Sequence, residues 1–364
     1  MTPTLTAQPV HSPPPVDEQA LEQFAGKVMG DVGGALAVLL SFIGDQTGIY
    51  RALRDRGPST AADLAEAAQV DARYLLEWLS ANAAAGYVGY DPATGRFSLS
   101  PEQAVVLAQE GHPACFQGMM QLVVAQFATY EKAIDTFRSG TGRGWEDQHA
   151  CCFCGVDRFF RPGYVVHLVE EWLPALDGVV EKLRAGGRVA DVGCGLGSST
   201  MLLAEAFPNS VIHGIDFHAA SIAAAREAAA ARGIGNATFE ATSAKDYGGR
   251  GYDLVCMFDA LHDMGDPVGA ARHIRETLAP DGTLMLVEPL AGDRLEDNFN
   301  LVSQLFYSSS TLICTPASRA QEVGLALGAQ AGERRLAEVL REAGFTRIRR
   351  ASETATNMVI EARP

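Results

Sequence analysis

Three glycines at alternate positions follow an acid in Asp191-Val-Gly193-Cys194-Gly195-Leu-Gly197. The apolar run 189–192 before them and the helical stretch 201–206 after them read as a buried strand turning tightly into a helix. Side chains at those glycines would keep the backbone from a ligand, and the free N–H groups at the helix start face whatever fills the turn. A second apolar run ends in Asp216, about twenty residues on, where a carboxylate grips ribose hydroxyls. The spacing is D-x-G-x-G-x-G, whereas dinucleotide folds show G-x-G-x-x-G. Further along, the apolar run 252–258 leads into Asp259-Ala-Leu-His262-Asp263. Imidazole titrates near neutrality, so His262 at a strand end suits a general base for a hydroxyl. His218 reads as solvated or close to the Asp216 ligand, and His167 and His273 as structural.

Cys151, Cys152 and Cys154 cluster near Trp145 and His149. Zinc sites come as two spaced ligand pairs, and adjacent cysteines point apart, so no metal is expected there. A redox-active or soft-metal-binding thiol and an inert loop both stay open.

The stretch from Asp191 to Gly197, with Asp216, resembles the cofactor site of class I S-adenosylmethionine (SAM) methyltransferases, and the likeness runs on through the last strand. The resemblance implies a Rossmann-like α/β sheet with SAM as cofactor. It places Asp191, Gly193, Cys194, Gly195, Gly197, Asp216, Phe217 and Phe258 at that cofactor. In the class I pattern an acid and a small residue hold the adenine edge. Here Ser243 stands in the acid's place beside Ala244, leaving Lys245 or Asp246 to supply the contact.

The segment from Phe258 to Asp263 is similar to the Leu-His-Asp signature of small-molecule O-methyltransferases with an N-terminal winged helix. The resemblance makes His262 the base and gives Glu288, which ends the fifth strand, the task of orienting it. A second family glutamate precedes the next helix; Glu333 lies near that place at a shorter spacing. Residues 157–164, 172–176 and 312–316 also resemble a narrower bacterial group of winged-helix methyltransferases. That group often has two histidines after the tryptophan, where this chain has Glu146 and Gln148. Methyl transfer from a sulfonium is an in-line displacement with an activated leaving group, so the protein mainly positions the nucleophile and excludes water. Phe160, Asp263 and Tyr307 are the candidate contacts for a small-molecule acceptor. Two other readings stay open: a SAM-responsive winged-helix regulator, and a SAM-binding protein of this fold that catalyses a non-methylating rearrangement.

These residues need a scaffold of two cores, which 364 residues and 47% apolar composition allow. The expected organisation is a disordered tail at 1–16, an all-helical winged-helix and dimerisation domain at 17–110, a helical linker and active-site cover at 111–180, and a SAM-binding catalytic domain at 181–364. Within the last, 289–332 is too long for a plain connection and is expected to shape the substrate pocket. The segment 17–56 reads as helical, broken at Gly33-Gly34, and its apolar stretch 35–40 suggests a homodimer contact. Thr60 and Asp71 read as caps of the next helices, and 87–99 as the wing. The third helix offers Arg73 against Asp71 and Glu77, which disfavours DNA, as does a net charge of −15. Residues 113–138 read as one amphipathic helix and 140–161 as a loop. The run 35–43 is too short to span a bilayer, and 1–17 lacks the apolar core of a signal peptide. Seven cysteines make no secreted disulfide framework, so a cytoplasmic location is expected.

Overall fold

The computed structural model describes residues 15–364. The expected tail at 1–16 therefore lies outside the described residues, apart from Pro15 and Val16. The chain divides into two compact units between Gln103 and Ala104. The segment 111–180 therefore belongs to the same unit as the catalytic region.

In the first unit, α1 (Glu18–Gln46) is capped by Asp17, which accepts from the Gln19 and Ala20 amides. It runs straight through Gly33-Gly34, where a break was expected. Among the described residues nothing lies within 4 Å of either glycine's would-be Cβ, so neither marks a contact within the chain. Its last turns pack: Trp78 Nε1 donates to Leu40 O at 2.8 Å, and Tyr50 Oη links Ser41 to Asn82 at 2.8 and 2.9 Å. Then come α2 (Ile49–Arg56), α3 (Ala61–Ala68) and α4 (Ala72–Ala84), the last two capped by Thr60 and Asp71 as expected. The wing is the hairpin β1 (Gly89–Asp91) and β2 (Arg96–Ser98). At 29 residues α1 is, among the described residues, the one helix long and apolar enough to cross a membrane. The apolar run 35–43 is only its last part, because Gly33-Gly34 continues the helix rather than ending it.

The second unit begins within α5 (Pro101–Ala108) and continues with α6 (Gln117–Phe127) and α7 (Tyr130–Ser139), two helices where one was expected. The region expected as a loop contains α8 (Ala150–His167), capped by the His149 side chain and followed by a π turn, Leu168–Trp172. Pro162 lies inside α8 and removes one amide donor, which is why the pattern reads as broken there. α6 and α8 touch backbone to backbone. A Cβ on Gly118 would stand 2.5 Å from the Phe159 nitrogen, and one on Gly155 2.9 Å from the Leu122 nitrogen.

Next come α9 (Val179–Ala185), β3 (Arg188–Val192), α10 (Ser198–Ala206), β4 (Val211–Asp216), α11 (Ala219–Ala231), β5 (Ala237–Ala241), β6 (Tyr252–Phe258), α12 (Pro267–Thr277) and β7 (Leu278–Pro289). The chain closes with α13 (Leu301–Ser309), α14 (Thr315–Arg319), α15 (Gly332–Glu342), β8 (Arg347–Glu353) and β9 (Asn357–Arg363). The sheet order is β5-β4-β3-β6-β7-β9-β8, parallel except for β9, which runs antiparallel to β7 and β8. Central strands are buried on both faces, under Ile274, Leu340 and Phe345 on one side and Trp172, Leu183 and Leu203 on the other. The strand order reverses between β3 and β6, where sheets of this type open a crevice at the strands' carboxyl ends.

Candidate active site

The turn after β3 holds Gly193, Gly195 and Gly197 at φ of +78°, +53° and +78°, a region that side chains rarely adopt. Each glycine has its own reason. A Cβ on Gly193 would meet Ala260 and one on Gly197 the Phe239 ring, both at 2.7 Å, while nothing lies within 4 Å in front of Gly195. The Gly195 backbone is therefore open to a ligand. Asp191 is fully buried and does not face the cavity; its Oδ2 accepts from the Ser199 and Thr200 hydroxyls at 2.6 Å each. It ties the start of α10 to β3, and burial raises its pKa to about 6. Asp216, at the end of β4, accepts from Gly195 N at 2.9 Å and His218 N at 2.8 Å. Its carboxylate is aimed by those two amides and faces the cavity beside Phe217.

At the ends of β6 and β7 a second group of residues forms. Glu288 is buried; one carboxylate oxygen accepts from Leu261 N at 2.9 Å and the other bonds His262 Nδ1 in a short contact. His262 Nε2 then points towards Asp263 Oδ1, 3.3 Å away. Burial alone would lower the imidazole's pKa, but the Glu288 and Asp263 carboxylates outweigh it and hold the group well above its ordinary 6.5. Cys314, from the π turn after α13, stands close by: its Sγ and single ligand atoms of His262 and Asp263 lie within 4.8 Å of one another. Asp259 has φ of +49° and bridges Tyr164 Oη at 2.8 Å and Asn357 Nδ2 at 2.7 Å. Burial, aided by the nearby Glu288 charge, raises its pKa to about 7.

Both groups open on one cavity of about 550 Å³. Gly193, Cys194, Gly195, Asp216, Phe217, Ser243, Ala244 and Phe258 line it, together with His262, Asp263 and Phe160. Asp191 and Gly197 support it from behind, and Glu288 acts on it through His262. Tyr307 falls outside the lining; its hydroxyl is turned to Asn298 Nδ2 at 3.5 Å. Glu333 pairs with Arg350 at 2.6 Å and takes no part. Beside Ser243 and Ala244, Lys245 lines the cavity but is bound to Glu322 at 2.8 Å and Asp266 at 3.2 Å, and Asp246 lines it as well. The 289–332 segment supplies Phe306, Ile313 and Cys314, and α6 and α8 supply Met119, Leu122, Val156 and Phe160. The three cysteines ride on α8, with Cys152 buried, Cys151 partly covered and Cys154 exposed, so they do not face one centre. Among the described residues, sequence reasoning gave no site role to Asp157, which faces the cavity and accepts from the Ser198 hydroxyl, nor to Tyr164, Asp259 and Cys314. Only the 157–164 resemblance pointed near the first two.

Residues 183–344 match the family described as methyltransferase domain, and residues 34–109 match the Rv2258c-like winged HTH domain. A curated relative, trans-aconitate 2-methyltransferase of Paracidovorax citrulli, is 35% identical over 107 residues, 29% of this chain. The match spans only 40% of that relative's length. Among solved structures, mitomycin 7-O-methyltransferase MmcR has a TM-score of 0.69 at 20% identity, covering 95% of this chain and all of that one. Human N-acetylserotonin methyltransferase in complex with SAM has a TM-score of 0.69 at 17% identity, covering 93% of this chain and 97% of that one. At such identities the likeness shows the fold. Residues 34–109 thus match a winged helix-turn-helix domain and residues 183–344 a methyltransferase domain, and the chain shares its fold with these solved methyltransferases.

Proposed function

We propose that this chain transfers a methyl group from SAM to a hydroxyl of a small-molecule acceptor, with His262 as the base, and that it works as a cytoplasmic homodimer. The observation that carries the reading is one cavity shared by the open Gly195 backbone, the Asp216 carboxylate and a histidine clamped by a buried glutamate. The residues fit the cofactor. The turn leaves space that a side chain would fill, Asp216 can take ribose hydroxyls, and Ser243, Ala244 and Phe258 line the same cavity. When bound, SAM supplies a methyl already activated on a sulfonium.

The chain's own residues then have three tasks. The walls from α6, α8 and α13 exclude water and orient the acceptor. His262 removes the acceptor's hydroxyl proton at Nε2. Glu288, held by the Leu261 amide, keeps Nδ1 bonded and stabilises the imidazolium that forms. Seven free cysteines favour a reducing compartment.

The test combines calorimetry with labelled turnover. SAM and S-adenosylhomocysteine (SAH) should bind the full chain, and Gly195→Val should abolish binding by filling the turn. Asp216→Ala should weaken it by about 1–3 kcal/mol, the cost of a lost charged hydrogen bond. Methyl-labelled SAM with cell extract should give a labelled small molecule by mass spectrometry. Unchanged affinity in both variants removes the site assignment; binding without any labelled product favours a non-methylating reaction.

A further inference from the structure

Resting on the methyltransferase reading, we propose that the acceptor is an uncharged, largely apolar molecule and that the cavity excludes acceptors carrying a carboxylate. The sign of the charged groups around the cavity is the first ground. Lys245 is the one Lys or Arg among the lining residues, against seven Asp and Glu side chains. It stands at the adenine end and is already engaged by Asp266 and Glu322.

The second ground is the acceptor half itself. Its walls are Met119, Leu122, Phe160, Phe306 and Ile313, drawn from one apolar cluster of α6, α8 and the 289–332 segment. The polar atoms that reach it include the imidazole, the Cys314 thiol and Asp263. Asp263 Oδ1 is buried without a hydrogen-bond donor and lies 3.3 Å from His262 Nε2. A carboxylate entering here would face Asp263, with Glu288 buried behind His262 and only that imidazole to offset all three, in a site where charges are weakly screened.

Arg161 stands 3.4 Å from the lining carboxylate of Asp157, which engages it, and is itself absent from the lining. Arg143 is buried and also absent from the lining. Its Nη2 donates to Leu312 O at 2.6 Å, Gln148 Oε1 at 2.8 Å and Gln126 Oε1 at 3.3 Å. Those hydrogen bonds hold it behind the wall. A cationic acceptor is no better placed. The imidazole already takes the Glu288 and Asp263 carboxylates, and a bound sulfonium would add a further positive charge to the same cavity.

Four probes of similar ring size test this: 2-naphthol, 3-hydroxy-2-naphthamide, 3-hydroxy-2-naphthoic acid and the aminomethyl derivative of 2-naphthol. The amide and the acid match in shape and differ in charge. Calorimetry on the full chain loaded with SAH at pH 7.5 should show both neutral probes binding at least tenfold tighter than the acid. Equal or tighter binding of the acid overturns the proposal, and its loss in Arg143→Met would name the guanidinium as the anion's partner. Failure of both neutral probes to bind overturns it as well, as does tightest binding by the aminomethyl derivative of 2-naphthol. The SAH affinity of the same samples shows separately whether the cofactor reading stands.

Discussion

His262 is gripped on one side and open on the other, and the grip sets when it can act. Glu288 at Nδ1 and Asp263 near Nε2 favour the imidazolium, so the free base gains population only above the ordinary histidine range. An unperturbed imidazole would place the rise in rate near pH 6–7; these partners move it to higher pH. We expect single-turnover rates to increase with pH through a value above 6.5 and His262→Ala to remove that dependence. His262→Ala should lower turnover by about 10²–10⁴ with SAM affinity intact. Glu288→Gln should cost less and shift the pH profile down, because a carboxamide no longer stabilises the proton. A change below about tenfold in His262→Ala, under 1.4 kcal/mol of barrier, would move the acceptor away from hydroxyls.

Asp259 carries a stability signature at the same scale. Its folded-state pKa is raised by burial from 3.8 to about 7. A raised pKa means the stabilising proton is fully present below the unfolded value and is lost as pH climbs through 7. The melting temperature of cofactor-free protein should therefore fall between pH 5 and pH 8. Asp259→Asn, which keeps a polar partner for Tyr164 and Asn357, should flatten part of that slope; an unchanged slope would show the group to be ordinary. None of this was legible beforehand. Tyr164 and Asn357 lie 95 and 98 residues on either side of Asp259 and meet it only through the strand order.

Among the elements, the sheet was readable and the cover was not. Strands such as β3, β6 and β7 announce themselves as apolar runs ended by glycine or acid, as α3 and α4 of the first unit do by their caps at Thr60 and Asp71. α8 hides its nature behind Gly155, Pro162, Gly163 and three cysteines, all of which suggest a loop. Gly155 is small because Leu122 of α6 presses on it, and Gly118 because the Phe159 backbone does. A glycine in a helix that touches another backbone looks, in sequence, like one that ends a helix. Gly118→Leu tests the pairing. It should destabilise the second unit by about 1–3 kcal/mol through overpacking and separate α6 from α8. Acceptor turnover should then fall while SAM affinity holds, since the Gly195 turn and Asp216 belong to the sheet. Loss of both together in calorimetry would show that the cover also builds the cofactor site.

On the scale of the whole molecule, α1 poses the open question. Leu21, Phe24, Val28 and Val32 are 56%, 64%, 43% and 57% exposed and recur every three or four residues, one apolar face without a partner among the described residues. Gly26, Gly30 and Gly33 form a neighbouring row with nothing within 4 Å of their would-be Cβ atoms, which allows another backbone to approach closely. A second copy of the chain would cover both. A lipid bilayer is the competing cover, because α1 has the length and mean hydropathy to cross one. Three observations favour the copy. The Lys27–Asp31 ion pair sits midway along the exposed part, at 2.6 Å. The last turns are packed through Ser41 and Leu40 onto the winged helix. The net charge of −15 is repelled by anionic leaflets. Light scattering of the full chain at micromolar concentration should therefore give twice the mass of one chain. Phe24→Glu with Val28→Glu should halve that mass and leave the melting of the methyltransferase domain in place, since neither residue belongs to a buried core. A monomeric wild-type protein, or one that moves to the lipid fraction when floated with vesicles, would assign the face to the membrane or to another partner.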